Sequence, residues 1–347
     1  MTKPRGDSEA QTEIERRRSI LEAMTSERKT RVAVKPSTIG LQTNHWKLRG
    51  GPAGLHVFNR KTGLNILSSE ITVPEALWSR APRQVSIALT NRCDLACAHC
   101  YAPKTHHELR FDSVTRWLAE LDANGSLGVG FGGGEPTLYS RFTELCRHAA
   151  RKTMLSITFT THGHHIDPAM VDELQGSIHF IRVSMDGVRD TYESIRRRSF
   201  SDLQVRLKLV REISSFGINI VVNEQTMPEL DDAASVAADS GAIELLLLPQ
   251  APTRCVGASR DETMEALRQW VDRYSGPLKL CINESHSDGF PTCDPLVEER
   301  GLRAYAHIDA AGVIKHSSFH TTGVPIGPGP LLEALDQLDH DYWEKDS

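Results

Sequence analysis

Along residues 1–35 apolar positions are scattered, whereas from residue 84 onward they fall into a regular rhythm. The opening stretch, MTKPRGDSEAQTEIERRRS and its continuation, is polar and charged. Residues 13–26 have helical composition but no face that must pack, so a flexible start is expected over 1–35. In LHVFNRKTGLNILSSE two short apolar runs flank Arg60-Lys61-Thr62-Gly63, the pattern of a β-hairpin with Gly63 supplying a positive φ. From residue 84 short apolar runs predict strands at 85–90, 127–131, 155–161, 179–185, 218–224 and 243–249. Amphipathic segments lie between them. Asp112 is read as the cap of a helix ending at Gly125, and Asp167-Pro168 opens a helix ending at Gly176. DLQVRLKLVREISSF runs to Gly217, and a helix from Glu229 runs to Gly241.

Six strand–helix repeats predict parallel strands joined by helical crossovers, in an open rather than a closed barrel. After residue 276 the rhythm fails. A turn-rich stretch leads to a small hairpin turning at Ala310-Ala311-Gly312, and a last helix follows Pro330. The expected fold class is α/β: a partial (β/α)6 barrel of parallel strands, a small C-terminal α+β accessory module and an N-terminal β-hairpin. The corresponding divisions are 1–35 (flexible N-terminus), 36–80 (hairpin), 81–276 (barrel) and 277–347 (C-terminal module).

Composition narrows the class. The chain has 347 residues, a formal charge of -5, 39% hydrophobic and 24% charged residues, an ordinary soluble balance. No apolar run approaches the roughly 20 residues of a membrane span, and the first residues lack the apolar stretch of a secretory signal. A cytoplasmic protein with no membrane partner is expected. The mild acidity gives no support for a nucleic-acid partner. Of 7 cysteines, three lie within eight positions, which in a reducing compartment reads as metal binding.

These three are Cys93-Asp-Leu-Ala-Cys97-Ala-His-Cys100, followed by Tyr101. Three thiolates on one loop can ligate three irons of a cubane and leave the fourth iron open. The alternative is structural zinc, with His99 or His106 as fourth ligand. The loop follows the first barrel strand, so it belongs at the carboxyl end of the sheet, where parallel α/β folds carry their reactive groups.

The C-x3-C-x2-C spacing followed by tyrosine resembles the signature of the radical S-adenosylmethionine (SAM) superfamily. Phe131-Gly-Gly-Gly-Glu135-Pro136, after the second strand, resembles that family's Gly-Gly-Glu motif. Thr160-Thr161-His162-Gly163 is similar to its Thr-Asn-Gly turn, and Ser184-Met-Asp186-Gly187 to its Ser-x-Asp-Gly. The resemblance implies a [4Fe–4S] cluster on Cys93, Cys97 and Cys100. It also implies a SAM site built from Tyr101, Gly133, Gly134, Glu135, Thr161, Ser184, Asp186, Arg196 and Asn223. In this reading Gly133, Gly134 and Glu135 hold the methionine amino group, Ser184 and Asp186 reach the ribose or methionine, and Arg196 or its neighbour Arg197 pairs with the carboxylate. The implied activity is reductive cleavage of SAM, fed by an external one-electron donor such as flavodoxin or ferredoxin, followed by abstraction of a substrate hydrogen. No further side chain is singled out as catalytic.

Residues 293–338 resemble a reduced SPASM or twitch extension: Cys293, Ile308-Asp309, Gly312 and the last helix fit, but Ser317 stands where the second cysteine is expected. Cys255, Cys281 and Cys293, with His307, His316 or His320, are candidates for a second cluster; the reading favours idle or buried thiols. Cys146 is read as core. His162, His164 and His165 are read as hydrogen-bonding or substrate-contacting rather than metal-binding. The extension points to a ribosomally made peptide as substrate. A dehydrogenase or epimerase acting on a small metabolite or cofactor precursor is the alternative, and a non-catalytic metal-binding protein of the same fold a distant third.

Overall fold

The computed structural model describes residues 45–253, 255–293 and 296–343, with side chains to 340. The helical reading of 13–26 and the flexible start lie outside the described residues. The first element is a three-stranded antiparallel sheet: β1 (Trp46–Gly51), β2 (Gly54–Asn59) and β3 (Asn65–Ser68), in that order. The β2–β3 turn forms where the sequence placed it. Asn59 Oδ1 accepts the amides of Lys61 and Thr62, and Gly63 takes a φ of 71°. The additional strand β1 pairs with β2 through Gly54, where a Cβ would sit 2.4 Å from the Ser68 carbonyl.

The main sheet contains β4 (Gln84–Thr90), β5 (Gly128–Gly133), β6 (Ser156–Thr161), β7 (Phe180–Ser184), β8 (Phe216–Val222), β9 (Glu244–Pro249), β10 (Lys279–Ile282), β11 (Tyr305–Ile308), β12 (Val313–Lys315) and β13 (Val324–Pro325). Its order is β10-β9-β8-β7-β6-β5-β4-β11-β12-β13. The strands from β4 to β10 are parallel to their neighbours, and β11 adds a further parallel strand beside β4. The parallel run is therefore eight strands, not six. β10 and β11 are four residues each, too short for alternation to show in the sequence. The ends of the sheet, β10 and β13, do not pair, so the barrel is open. The hairpin at 310–312 is present, with Gly312 at φ 80°.

The crossovers are α1 (Phe111–Ala123), α2 (Phe142–Lys152), α3 (Pro168–Leu174), α4 (Arg189–Arg196) with α5 (Phe200–Ile213), α6 (Leu230–Asp239) and α7 (Asp261–Arg273); α8 (Leu331–Trp343) closes the described chain. Asp167 caps α3 as expected, accepting the Met170 amide at 2.8 Å. Two helix ends differ from the reading. Arg110, not Asp112, is the N-cap of α1; Asp112 lies in the first turn, where its charge favours the helix dipole. α5 stops at Ile213, because Phe216 is fully buried and starts β8; Gly217 thus lies inside a strand.

Alternation divides the main sheet into two faces. Val85, Ile87, Val129, Phe131, Ile157, Phe159, Ile181 and Val183 are buried and pack with helix residues such as Leu118, Leu145 and Leu207. Burying each such side chain contributes about 1.5–3 kcal/mol. The other face carries Ser86, Gly130, Gly132, Thr158, Thr160, Arg182 and Ser184, all half-buried. Closed parallel barrels fill this space with branched apolar residues; here it is polar and small.

Two histidines, His307 buried and His179 half-buried, make stability depend on pH. His179 Nδ1 accepts the Ile157 amide at 3.0 Å, and His307 Nδ1 lies 2.6 Å from Ser86 Oγ. Burial pushes both imidazoles from 6.5 down to about 4. Their folded pKa lies below the unfolded one, so their contribution is complete above about pH 6.5 and is lost as pH falls toward 4. The melting temperature is expected to drop by several degrees between pH 7 and 4.5. A His179→Gln/His307→Gln variant should have a shallower slope; an unchanged slope would refute the assignment.

Candidate functional site

The cysteine loop leaves the end of β4 and folds back on it. Asn91 N donates to the His107 carbonyl at 2.9 Å, and Leu109 N to the Leu89 carbonyl at 2.9 Å. The glycine-rich turn after β5 is pressed against the start of this loop. Gly134 N donates to Thr90 O at 2.8 Å and Glu135 N to Arg92 O at 2.7 Å. A Cβ at Gly133 would lie 2.3 Å from Thr90 O, and one at Gly134 2.2 Å from Arg92 O. These two positions exclude larger residues because backbone meets backbone there.

Each gap between the cysteines carries a charged or ionisable residue that ties the loop to a neighbouring strand end. Asp94 lies 2.9 Å from His162 Nε2, 3.3 Å from His165 Nε2 and 2.5 Å from Arg198. Burial alone would raise its carboxyl, but Arg198 and His162 hold it well below the usual carboxylate range. His99 Nε2 lies 3.0 Å from Asp186 Oδ2. Asp186, 1% exposed, also pairs with Arg196 at 2.5 Å and accepts the Val221 amide at 2.8 Å. Burial opposes its charge, yet Arg196 and His99 bring it down to about 2.

Cys97 is buried, Cys93 and Cys100 are half-buried, and all three thiols are free. Burial pushes the Cys93 and Cys97 thiols up. The Leu95 amide points at Cys93 Sγ (3.4 Å), and Lys104 Nζ lies 3.7 Å from Cys100 Sγ. Three soft sulfur donors on one pinned loop suit a cubane cluster, and cluster charge would offset the burial that opposes the thiolates. A Cβ at Gly132 would meet nothing within 4 Å, so the space beside the glycine turn is open to a small molecule.

Several side chains that the resemblance assigned to SAM are engaged within the protein. Glu135 is 1% exposed and accepts from Thr161 Oγ1 and Thr137 Oγ1, both at 2.7 Å, and from His162 N at 2.9 Å. Its carboxylate thus joins the ends of β5 and β6. Asn223 Oδ1 accepts the amides of Gln225 and Thr226, and its Nδ2 donates to Gln250, so it builds the turn after β8. Asp186 is held as described. Ser184 stays half-buried on the polar face, and the Tyr101 ring lies tilted against Phe319 with centroids 5.1 Å apart. The two arginines are placed differently by the backbone. Arg196 turns inward to Asp186, while Arg197 is exposed with φ 56° and ends α4. A left-handed helix end ordinarily calls for glycine, so an arginine there carries backbone strain.

The remaining candidates scatter. Cys146 is fully buried, in the core as expected. Cys255 and Cys293 are exposed, and Cys281 lies on β10, 3.7 Å from Glu244 Oε2. His164 donates to or accepts from Tyr192 OH at 2.8 Å. Among the described residues Cys93, Asp94 and His162 bring ligand atoms within 4.8 Å of one another. There the carboxylate and imidazole already pair with each other. Asp94 and Arg198 were missed by sequence reasoning, and His99, read there as a candidate zinc ligand, instead pairs with Asp186 at 3.0 Å.

A three-cysteine loop at a strand's carboxyl end, bordered by a glycine turn and polar strand ends, defines an α/β protein whose reactive groups gather above its parallel sheet. Residues 87–237 match the Radical SAM superfamily model, so the chain carries a Radical SAM domain. It is 31% identical over 172 residues to mycofactocin maturase MftC of Mycolicibacterium smegmatis, covering 47% of this chain and 43% of that protein. It is 34% identical over 259 residues to Fe-coproporphyrin III synthase of Methanosarcina barkeri, covering 69% of this chain and 64% of that one. The chain thus spans about half to two thirds of these relatives' length. Streptococcus suis SuiB bound to S-adenosylmethionine has the same fold, with a TM-score of 0.70 at 16% identity over 86% of this chain and 89% of that one.

Proposed function

We propose that the protein reductively cleaves SAM at a [4Fe–4S] cluster held by Cys93, Cys97 and Cys100, and modifies a ribosomally synthesised peptide. The observation that carries this is the free thiol triad on a loop pinned to the ends of β6 and β7. Bound cluster and SAM together supply a 5′-deoxyadenosyl radical that abstracts hydrogen. The chain's part is placement. The Gly133–Gly134 backbone, Thr161, Ser184, Arg196 and Tyr101 border the SAM site; Glu135, Asp186 and Asn223 brace its walls. The polar face of the sheet, with the half-buried Thr160 and Ser184, offers hydroxyls to a substrate. The exposed edge of β3, where Ile66 is 47% exposed, suits strand addition by a peptide. The named relative MftC, a maturase, supports the peptide reading.

A tetrapyrrole substrate is the second reading, supported by the longer match to Fe-coproporphyrin III synthase. An external one-electron donor and a reducing cytoplasm complete the proposal. No described helix is long and apolar enough to cross a membrane.

The test is anaerobic reconstitution with dithionite and SAM. About four irons per chain and formation of 5′-deoxyadenosine are expected. A deuterated precursor peptide encoded near the gene should pass its label into 5′-deoxyadenosine and change mass. Conversion of iron coproporphyrin III instead would establish the second reading. A full cluster that never cleaves SAM, with either substrate present, would defeat both.

A further inference from the structure

We infer that the seam between the N-terminal sheet and the main sheet is a binding site for a phosphate-type oxyanion, centred on Arg60. The site lies where the chain enters β6 and β7, at the opposite end of these strands from the cysteine loop, and it stands independently of the cluster chemistry.

Arg60 directly follows β2 and is 9% exposed. Its Nη1 donates to Thr153 O at 2.7 Å and to Leu155 O at 3.4 Å. Its Nε is buried and has no partner, and Nη2 likewise pairs with nothing among the described residues. Nε and Nη2 form the edge of a guanidinium that grips an oxyanion through two parallel hydrogen bonds. Arg49, also buried, has a carboxylate on its side chain, Glu299 at 2.7 Å. Arg60 has none. The acid whose charge acts on it is Asp122, and that carboxylate is already held by Lys47. A buried cation without a counter-charge is costly, and an anion on the open edge removes that cost.

The neighbours are further donors. His45 stands opposite Arg60, next to the Trp46–Asn59 pair, and its carbonyl accepts Arg60 N at 2.9 Å. His45 Nδ1 is buried without a partner. His179, just before β7, accepts the Ile157 amide at Nδ1, so its neutral ring carries the proton on Nε2. Burial, then the charge of Arg60, then His45 lower its pKa, which puts the three side chains in one neighbourhood. Lys47, 9% exposed, adds a cation beside Asp122. The pocket is net positive and has more donors than a carboxylate can use, which suits the larger oxygen shell of phosphate. His45 and His179 are half-buried, so the pocket reaches solvent there. A bound anion ties the end of β2 to the approaches of β6 and β7, a second fastening of the small sheet beside Arg49–Glu299.

The test uses the full chain, with inorganic phosphate as the probe, chloride at equal ionic strength as the control and acetate as the carboxylate arm. Phosphate is expected to raise the wild-type melting temperature by several degrees beyond chloride, the shift growing with the logarithm of its concentration once the site fills. Acetate should do clearly less. Calorimetric titration should find about one phosphate per chain at this site. Arg60→Met should bind phosphate at least about tenfold more weakly, because the bidentate edge is gone, and should lose the shift. That variant also leaves the Thr153 and Leu155 carbonyls without a donor. If it does not fold, His45→Leu, which spares them, should weaken phosphate several-fold. Iron content should match wild type in either variant. A wild-type shift no larger than in chloride, or phosphate binding unchanged in the folded variant, overturns the site. An equal shift with acetate overturns the assignment to phosphate.

Discussion

Changing Cys93, Cys97 and Cys100 together to alanine is expected to abolish iron binding and to lower 5′-deoxyadenosine formation by at least about three orders of magnitude, because no thiolate remains to hold the cluster. The fold should survive. Two of the thiols are half-buried, and the loop is held by Asp94, His99, Gly134 and Glu135 rather than by cysteine. A melting temperature within a few degrees of the metal-free wild type is therefore expected. Iron and sulfide analysis, product chromatography and calorimetry on one preparation check all three parts. Residual cleavage in the variant would mean another ligand set. Stoichiometric zinc in the wild type would restore the zinc reading, and collapse of the variant would show that the loop depends on its metal.

How far the sequence carried this picture follows from particular residues. The strands from β4 to β9 were legible because each is a short apolar run among amphipathic segments and turn residues. The chemistry was legible for the same reason: Cys93, the Gly133–Gly134 turn, Thr161 and Ser184 all lie at or just beyond strand ends. What stayed hidden depends on tertiary pairing. β10 and β11 join the sheet through neighbours far away in sequence. Glu135, Asp186 and Asn223 carry the right chemistry for ligand contacts, and their partners within the fold, which join them to neighbouring strands and turns, could not be read from the motifs. A motif gives the type of a residue and its place along the chain; whether its polar atoms remain free is decided by what packs beside it. Asp94 and His99 are the converse case. Asp94 looks incidental between cysteines and His99 reads as a zinc ligand, yet both fasten the loop to strand ends.

Away from the site, Glu299→Gln is expected to cost about 3–5 kcal/mol, the usual penalty for removing one partner of a buried ion pair. Arg49 on β1 is 2% exposed, and its Nε donates to Glu299 Oε1 at 2.7 Å. The same guanidinium reaches the carbonyls of Ala81, Gly125 and Arg303 at 2.7, 3.1 and 3.0 Å. One side chain therefore fastens the N-terminal sheet to the turn after α1, the approach to β4 and the approach to β11. Burial lowers the Arg49 pKa and Glu299 opposes that, so the carboxylate is what keeps the charge tolerable. Glu299 also faces Arg83 at 3.2 Å, and a Cβ at Gly51 would lie 2.8 Å from its Oε1, so there is no room for a larger replacement. At roughly 2–4 °C per kcal/mol for domains of this order of size, the melting temperature should fall by about 10 °C. Adding Arg49→Met should recover only part of the loss: the uncompensated charge disappears, but three carbonyls lose their donor. Iron content at low temperature should remain that of wild type, since neither residue touches the cysteine loop. A drop of less than about 1 kcal/mol would place this pair among weak surface contacts, and complete recovery in the double variant would show that the carbonyls find other donors.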